Sequence, residues 1–233
     1  MTGFCVTPVN TIVDKSVIEN ANGKTPLWRG VANGFKNMFF RPKIFFTAYE
    51  FKWILAVYQS TYIASNLADH YVVPWLDPAV SKLLTVFVVN TTLGLLKDKA
   101  LTQRFGHGDP RPFPWSSLNL FFMRDLIAMA SAFTLPSILG HVMHKKFNFS
   151  ENTALILAQL STPVLAQIVC TPLHLLGLDL YNKPGITMDE RLRHVRKIYG
   201  HTTLIRMLRF LPAFGIGGVV NIELRKYLVN KEH

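Results

Sequence analysis

The side chains able to do chemistry are scattered, and few stand at spacings that chemistry needs. His141 and His144 lie three residues apart, a spacing that puts both on one helix face and suits a metal. No third ligand accompanies them, so no metal is expected. Gly215-x-Gly217-Gly218 has the glycine density of a phosphate loop but follows no strand, and reads instead as a close helix–helix contact. Cys5 and Cys170 are the only cysteines and sit among apolar neighbours, which excludes a disulfide framework or a zinc site. There is no His-Glu-x-x-His, Gly-x-Ser-x-Gly, Cys-x-x-Cys or P-loop pattern. The chain is therefore expected not to be an enzyme and to carry no cofactor. His174 and Asp179 remain as ionisable groups in or beside an apolar run, where such groups are functional by default. Asp179 is expected at an interface, as a solvated or Arg-paired carboxylate. Asp14-Lys15 and Lys97-Asp98-Lys99 are placed in the same way, at helix ends.

The elements that must position these groups are apolar. Of 233 residues, 49% are hydrophobic and only 17% charged, below the ~25% of ordinary globular chains. Mean hydropathy is +0.23. Residues 152–178 contain no Asp, Glu, Lys or Arg, and neither do 126–143. Both windows match a bilayer core of ~30 Å at 1.5 Å per residue. Shorter charge-free windows cover 54–68, 83–96 and 210–222, and an apolar stretch at 3–13 is long enough for only half a bilayer. The length of the longest window argues against a soluble bundle. No cleavable presequence is evident.

The net charge is +11. With so few charges overall, the basic excess points to anionic lipid rather than to nucleic acid. Three connections, 15–43, 97–124 and 183–209, hold 18 of the 25 basic residues, and in a six-span arrangement they fall on one face of the membrane.

The chain also repeats. Thr7-Pro8-Val9-Asn10, Thr91-Thr92-Leu93-Gly94 and Thr171-Pro172-Leu173-His174 are 84 and 80 residues apart, and Phe40-Arg41, Met123-Arg124 and Leu208-Arg209 follow at 83 and 85. The period implies one domain over 1–233, made of repeats at about 1–70, 78–147 and 151–230. The expected fold class is an all-α membrane protein, a six-helix bundle of three two-helix repeats with pseudo-threefold symmetry and a truncated first helix.

This layout resembles the mitochondrial carrier family, in Leu27-Trp28-Arg29-Gly30 followed by Tyr49-Glu50, in Pro172, in Arg209-Phe210-Leu211-Pro212 and in Glu223-x-x-Lys226. The resemblance implies helix kinks at Pro8 and Pro172 and a cardiolipin contact at Trp28, Arg29 and Gly30. It implies residual gate positions at Lys97, Glu50, Glu223 and Lys226, with Glu50, Glu223 and Lys226 in the network opposite the basic face. It also implies the mitochondrial inner membrane, multi-pass, with the outer membrane as the alternative. The family's inner gate needs three acids and three bases. Here the acid positions read Asn10, Gly94 and His174, and the base positions Val13, Lys97 and Gly177. The expectation is a carrier-like protein that has lost its transport gates and serves as an accessory subunit of a larger membrane complex, with membrane lipids and neighbouring proteins as partners. A solute transporter with an atypical substrate and an outer-membrane adaptor are the alternatives.

Overall fold

The computed structural model describes residues 2–70, 78–106 and 112–210, and every regular element among them is helical. The order is α1 (Thr2–Ala21), α2 (Leu27–Phe40), α3 (Pro42–Thr47), α4 (Tyr49–His70), α5 (Pro78–Phe105), α6 (Trp115–Phe133), α7 (Leu135–Phe147), α8 (Glu151–Leu165), α9 (Gln167–Asn182) and α10 (Met188–Leu208). The expected all-α class is what the chain adopts. The run 211–233, which carries Glu223, Lys226, the glycines at 215–218 and most of the expected last span, lies outside the described residues.

Local chemistry sets the helix ends. Ser150 caps α8 by accepting from the Thr153 amide at 3.3 Å, and Thr187 caps α10 by accepting from the Glu190 amide at 3.4 Å. Asp189 and Glu190 sit in the first turn of α10, where the helix dipole favours anions. Helix α7 ends on Asn148 in the left-handed conformation (φ 55°), with His144, Lys145 and Lys146 in its last turn. His144 places Nδ1 2.8 Å from the Phe149 carbonyl, so it trims that helix end rather than pairing with His141 around a metal.

Helix α1 is longer than the apolar stretch suggested. It runs through Asp14 and Lys15 to Ala21, 20 residues or about 30 Å. The charges do not end it because each is paired with another helix, as described below. Pro172 lies inside α9. A helical proline frees the carbonyl four residues back, and the Tyr199 hydroxyl of α10 donates to that carbonyl, Ile168, at 3.0 Å.

The helices close a ring in which α1 packs on α4, α4 on α5, α5 on α6, α6 on α9, and α9 on α10 and α1. The C-terminal ends of α1, α5 and α9 converge. Asn22 and Lys24 donate to the carbonyls of Phe105 and Gly106, each at 2.8 Å, and Phe113 stacks on Tyr181 at 4.7 Å. The three basic connections begin at this end. Close approach depends on glycine. A Cβ on Gly34 would stand 2.6 Å from Ile12, and one on Gly177 would stand 2.5 Å from the Phe121 ring.

The outer surface is apolar. The unit Glu151–Asn182 is 32 residues long with a mean hydropathy of 1.6, and only 33% of its most apolar window is buried. Leu155, Ile156, Leu160, Leu165, Ile168 and Val169 face outward from it. Helices α6 and α7, bent by 42° at their junction, qualify together as a second unit of spanning length. Exposed apolar surface on this scale marks a face that a membrane or another protein covers. Of the charges on helices α1, α4 and α5, Asp14, Glu50 and Asp98 are buried, whereas Lys52, Lys99 and Arg104 are exposed.

Two glycines predict opposite outcomes. Gly177→Ala overpacks against Phe121, a fully buried ring, and is expected to cost about 1–3 kcal/mol. Gly200→Ala, on α10 with nothing within 4 Å of the added carbon, is expected to stabilise by roughly 0.5–1 kcal/mol. Thermal denaturation of the two variants in detergent, compared with the parent chain, checks both signs.

Candidate functional site

The charges inside the ring form one alternating chain. Arg209 Nη1 lies 3.0 Å from Asp14 Oδ1, and Asp14 Oδ2 lies 2.8 Å from Lys97 Nζ. Lys97 also reaches Asp98 Oδ1 at 2.9 Å. Arg124 Nη2 reaches Asp98 Oδ2 and Asp125 Oδ1, both at 2.6 Å. Six side chains of alternating sign thus connect the end of α10 through α1 and α5 to α6. Arg124 extends the link to α9, its Nη1 standing 2.8 Å from Nδ1 of His174.

Packing positions this chain. Phe121, one turn before Arg124, wedges between Phe113 at 5.9 Å and His174 at 5.3 Å. The space left by Gly177 admits its ring. Asp98 and Arg124 are nearly inaccessible, and each carries an opposite charge within hydrogen-bonding distance, as buried ions must.

The charged layer floors a cavity of about 180 Å³ lined above it by Tyr58, Asn90, Gly94, Asp125, Gln167 and Arg206. Its walls are polar. Asn10 donates to the Tyr58 hydroxyl at 2.5 Å, Thr61 to Asn90 at 3.2 Å, and Arg206 Nε to Gln167 Oε1 at 3.1 Å. Two groups are left incomplete. Asp125 Oδ2 is buried with no hydrogen-bond partner, and Arg206 has no carboxylate partner among the described residues. Among the described residues, one carboxylate oxygen beside this cavity has no hydrogen-bond partner, and one guanidinium is bonded to an amide but to no carboxylate. An aqueous or lipid-filled space does not require that arrangement, whereas a bound zwitterion would complete it.

Several positions singled out by sequence are found elsewhere than expected. The loss of the gate is corrected. Carboxylates are missing at Asn10 and Gly94 but present four residues on, at Asp14 and Asp98. Residues i and i+4 share a helix face, so the charge is displaced by one turn and not lost. Lys97, an expected gate residue, lies at the centre of the chain. Glu50 is not at the opposite end. It opens α4 and pairs with Lys15 at 2.6 Å, one residue from Asp14, because α4 starts where α1 nears its end. Gly30 is not open to a phosphate. It packs on Ser16 of α1, whose Oγ would stand 3.0 Å from an added Cβ, while Trp28 and Arg29 are exposed at the start of α2. Asp179 is Arg-paired, at 2.7 Å from Arg191, and also meets His194 at 2.9 Å. Arg191 in addition donates to the Lys183 carbonyl at 3.0 Å, so this cluster ties α9 to α10.

A family model described as "Probable citrulline exporter" matches residues 1–229. No curated protein and no solved structure matches the chain. The match overturns the resemblance to mitochondrial carriers, which rested on order and period with weak individual motifs. With it falls the reading as an accessory subunit without gates, since the family is one of transporters and the ion-pair chain is intact.

The chain of charges predicts unequal consequences for removing cations. Arg124→Met leaves Asp125 buried without its ion-pair partner and Asp98 with Lys97 alone, and is expected to destabilise by about 3–5 kcal/mol. Lys15→Gln breaks a pair whose cation is more than a third exposed and is expected to cost at most ~1 kcal/mol. Melting temperatures of the detergent-solubilised variants distinguish them.

Proposed function

On the premise that the chain belongs to the probable citrulline exporter family, we propose that it moves citrulline outward across a membrane through the cavity floored by the charged chain. It is a membrane transport protein and not an enzyme. The observation that carries the substrate assignment is the pairing in one cavity lining of Asp125, whose Oδ2 has no hydrogen-bond partner among the described residues, with Arg206, which has no carboxylate partner among them. Citrulline is a zwitterion with a neutral ureido group. Its ammonium complements the free carboxylate oxygen, and its carboxylate complements the guanidinium. The ureido group offers several donors and one carbonyl to the amide and hydroxyl side chains of Asn90, Gln167 and Tyr58. A volume of about 180 Å³ suits one amino acid and excludes a nucleotide. Gly94 keeps the approach open, since even a Cβ there would stand 3.5 Å from Asp125 Oδ2.

Alternating access is supplied by the ion pairs. The pairs that join different elements, Asp14 with Lys97 and Arg209, and Asp98 with Arg124, act as a latch closing the basic end. The reading includes the finer architecture, a six-span bundle of repeats at about 1–70, 78–147 and 151–230. Asp14 and Asp98 support it, standing 84 residues apart with the same role on α1 and α5. It also includes an anionic headgroup, such as cardiolipin in a mitochondrial inner membrane, beside Trp28 and Arg29. A cleft of about 240 Å³ lined by Asn20, Leu27, Trp28, Lys197, Ile198 and His201 supports that site.

Proteoliposomes loaded with labelled citrulline test the proposal. Efflux is expected to saturate with citrulline concentration. Asp125→Asn and Arg206→Gln are expected to reduce it by at least tenfold, as each removes one charged contact worth ~1.5–3 kcal/mol. Absence of saturable efflux from vesicles holding folded protein would end the citrulline assignment.

A further inference from the structure

His174 is the one member of the latch whose protonation is dictated by a hydrogen bond. Its Nδ1 lies 2.8 Å from Nη1 of Arg124. A guanidinium has donors and no acceptor, so Nδ1 must present its lone pair, and the ring proton resides on Nε2. A protonated imidazole has two donors and no acceptor. It cannot keep this contact, and it would set two cations face to face at 2.8 Å. The same guanidinium holds the latch shut through Asp98 and Asp125. Closure of the latch and a proton on Nδ1 therefore exclude each other.

The surroundings reinforce that exclusion. Helix α6 presents Arg124, Asp125 and the Phe121 ring, whose centroid lies 5.3 Å from that of the imidazole. Helix α5 presents Lys97 and Asp98, and α1 presents Asp14. Arg206 of α10 and Arg209 beyond it add two cations, and Cys170 lies one turn back on α9 itself. Each carboxylate in this list is engaged by Lys97, Arg124 or Arg209, Asp125 through its Oδ1. In the closed state, then, among the described residues no free carboxylate bonds His174, and Arg206, a cation without a carboxylate partner, stands nearby.

We propose that His174 is a proton-binding site of the unlatched state, which makes opening of the basic end proton-dependent. This rests on the alternating-access reading above. When that end opens, Arg124 withdraws and Nδ1 takes a proton from the compartment it then faces. The imidazolium blocks the return of Arg124 until the proton leaves. Each opening takes up one proton and each relatching releases one. A proton that binds one of two states shifts their ratio by at most about tenfold per pH unit, and acid favours the open state.

Cys170 is a native reporter. It is buried, and its thiol lies 3.5 Å from the Arg124 carbonyl, so it is reached only when α6 and α9 part. In a Cys5→Ser background, labelling by a membrane-impermeant maleimide is expected to accelerate as pH falls. Thiolate chemistry alone slows it. His174→Asn keeps an acceptor for Arg124 but takes no proton, and its labelling is expected to slow as pH falls. Identical pH dependence in the two chains, or slowing in the parent alone should the variant not fold, overturns the proposal. Citrulline efflux measured on the same vesicles separates the two readings. Acid-accelerated labelling without citrulline efflux sinks the substrate assignment and supports the proton site. Saturable efflux with a latch indifferent to pH sinks the proton site alone.

Discussion

Six charges of alternating sign, Arg209–Asp14–Lys97–Asp98–Arg124–Asp125, constrain everything else in this structure. Isolated, any one of them inside an apolar bundle would cost several kcal/mol. Joined, each satisfies its neighbours, and the chain can tolerate being surrounded by helices whose outer faces are covered by lipid. The geometry is demanding. Arg124 must reach two carboxylates and an imidazole at once, which forces α5, α6 and α9 to meet within a few ångströms. The glycine at 177 and the aromatic wedge of Phe121 supply that approach. Helix α1 is held by Lys97 and Arg209 through Asp14, and by the packing of α2 across Gly30 and Gly34.

The same constraint bears on how polar groups sit in apolar helices. The run Glu151–Asn182 passes on length and hydropathy because its polar groups, Gln167, His174 and Asp179, occupy the inner face and are few. Helices α1, α4 and α5 carry more charge, and of it Asp14, Glu50, Lys97 and Asp98 are paired between helices. Composition counts a residue wherever it points. A charge neutralised by a neighbouring helix is not a charge offered to lipid.

The all-α class was legible in the chain, because long charge-free windows and basic connections are one-dimensional signals. The site was legible only in part. Lys97 and His174 stood out as ionisable groups in apolar surroundings. Asp14 and Asp98 were also visible, yet they seemed to belong to helix ends because a fixed motif register assigned the acidic places to Asn10 and Gly94. A shift of four residues keeps the face of a helix and changes the letter at every expected position. Glu50 misled in the opposite way, since its motif context suggested one end of the bundle and the start of α4 put it at the other. Arg209 stood out only as a repeat and motif landmark, and Arg206 carried no signal of its own among the basic residues of 183–209. Only the tertiary arrangement distinguishes a cation aimed into a cavity from one on a solvated face.

A latch built from buried ion pairs has a property that suits transport. Such pairs add little net stability, because desolvation nearly cancels their attraction, while losing one partner is severely destabilising. The closed end is consequently specific without being deep in energy. Solvent entering an opened end rehydrates the freed charges, so the open state does not carry the full penalty of separating them in a dry interior. In the proposed function a bound zwitterion adds a second compensation, since it would bring an ammonium to Asp125 and a carboxylate to Arg206 and so change the balance of the network from inside the cavity. On that reading substrate and latch draw on one set of charges, and Asp125, which bonds Arg124 and lines the cavity, is the shortest physical path by which occupancy of the cavity would be felt at the gate.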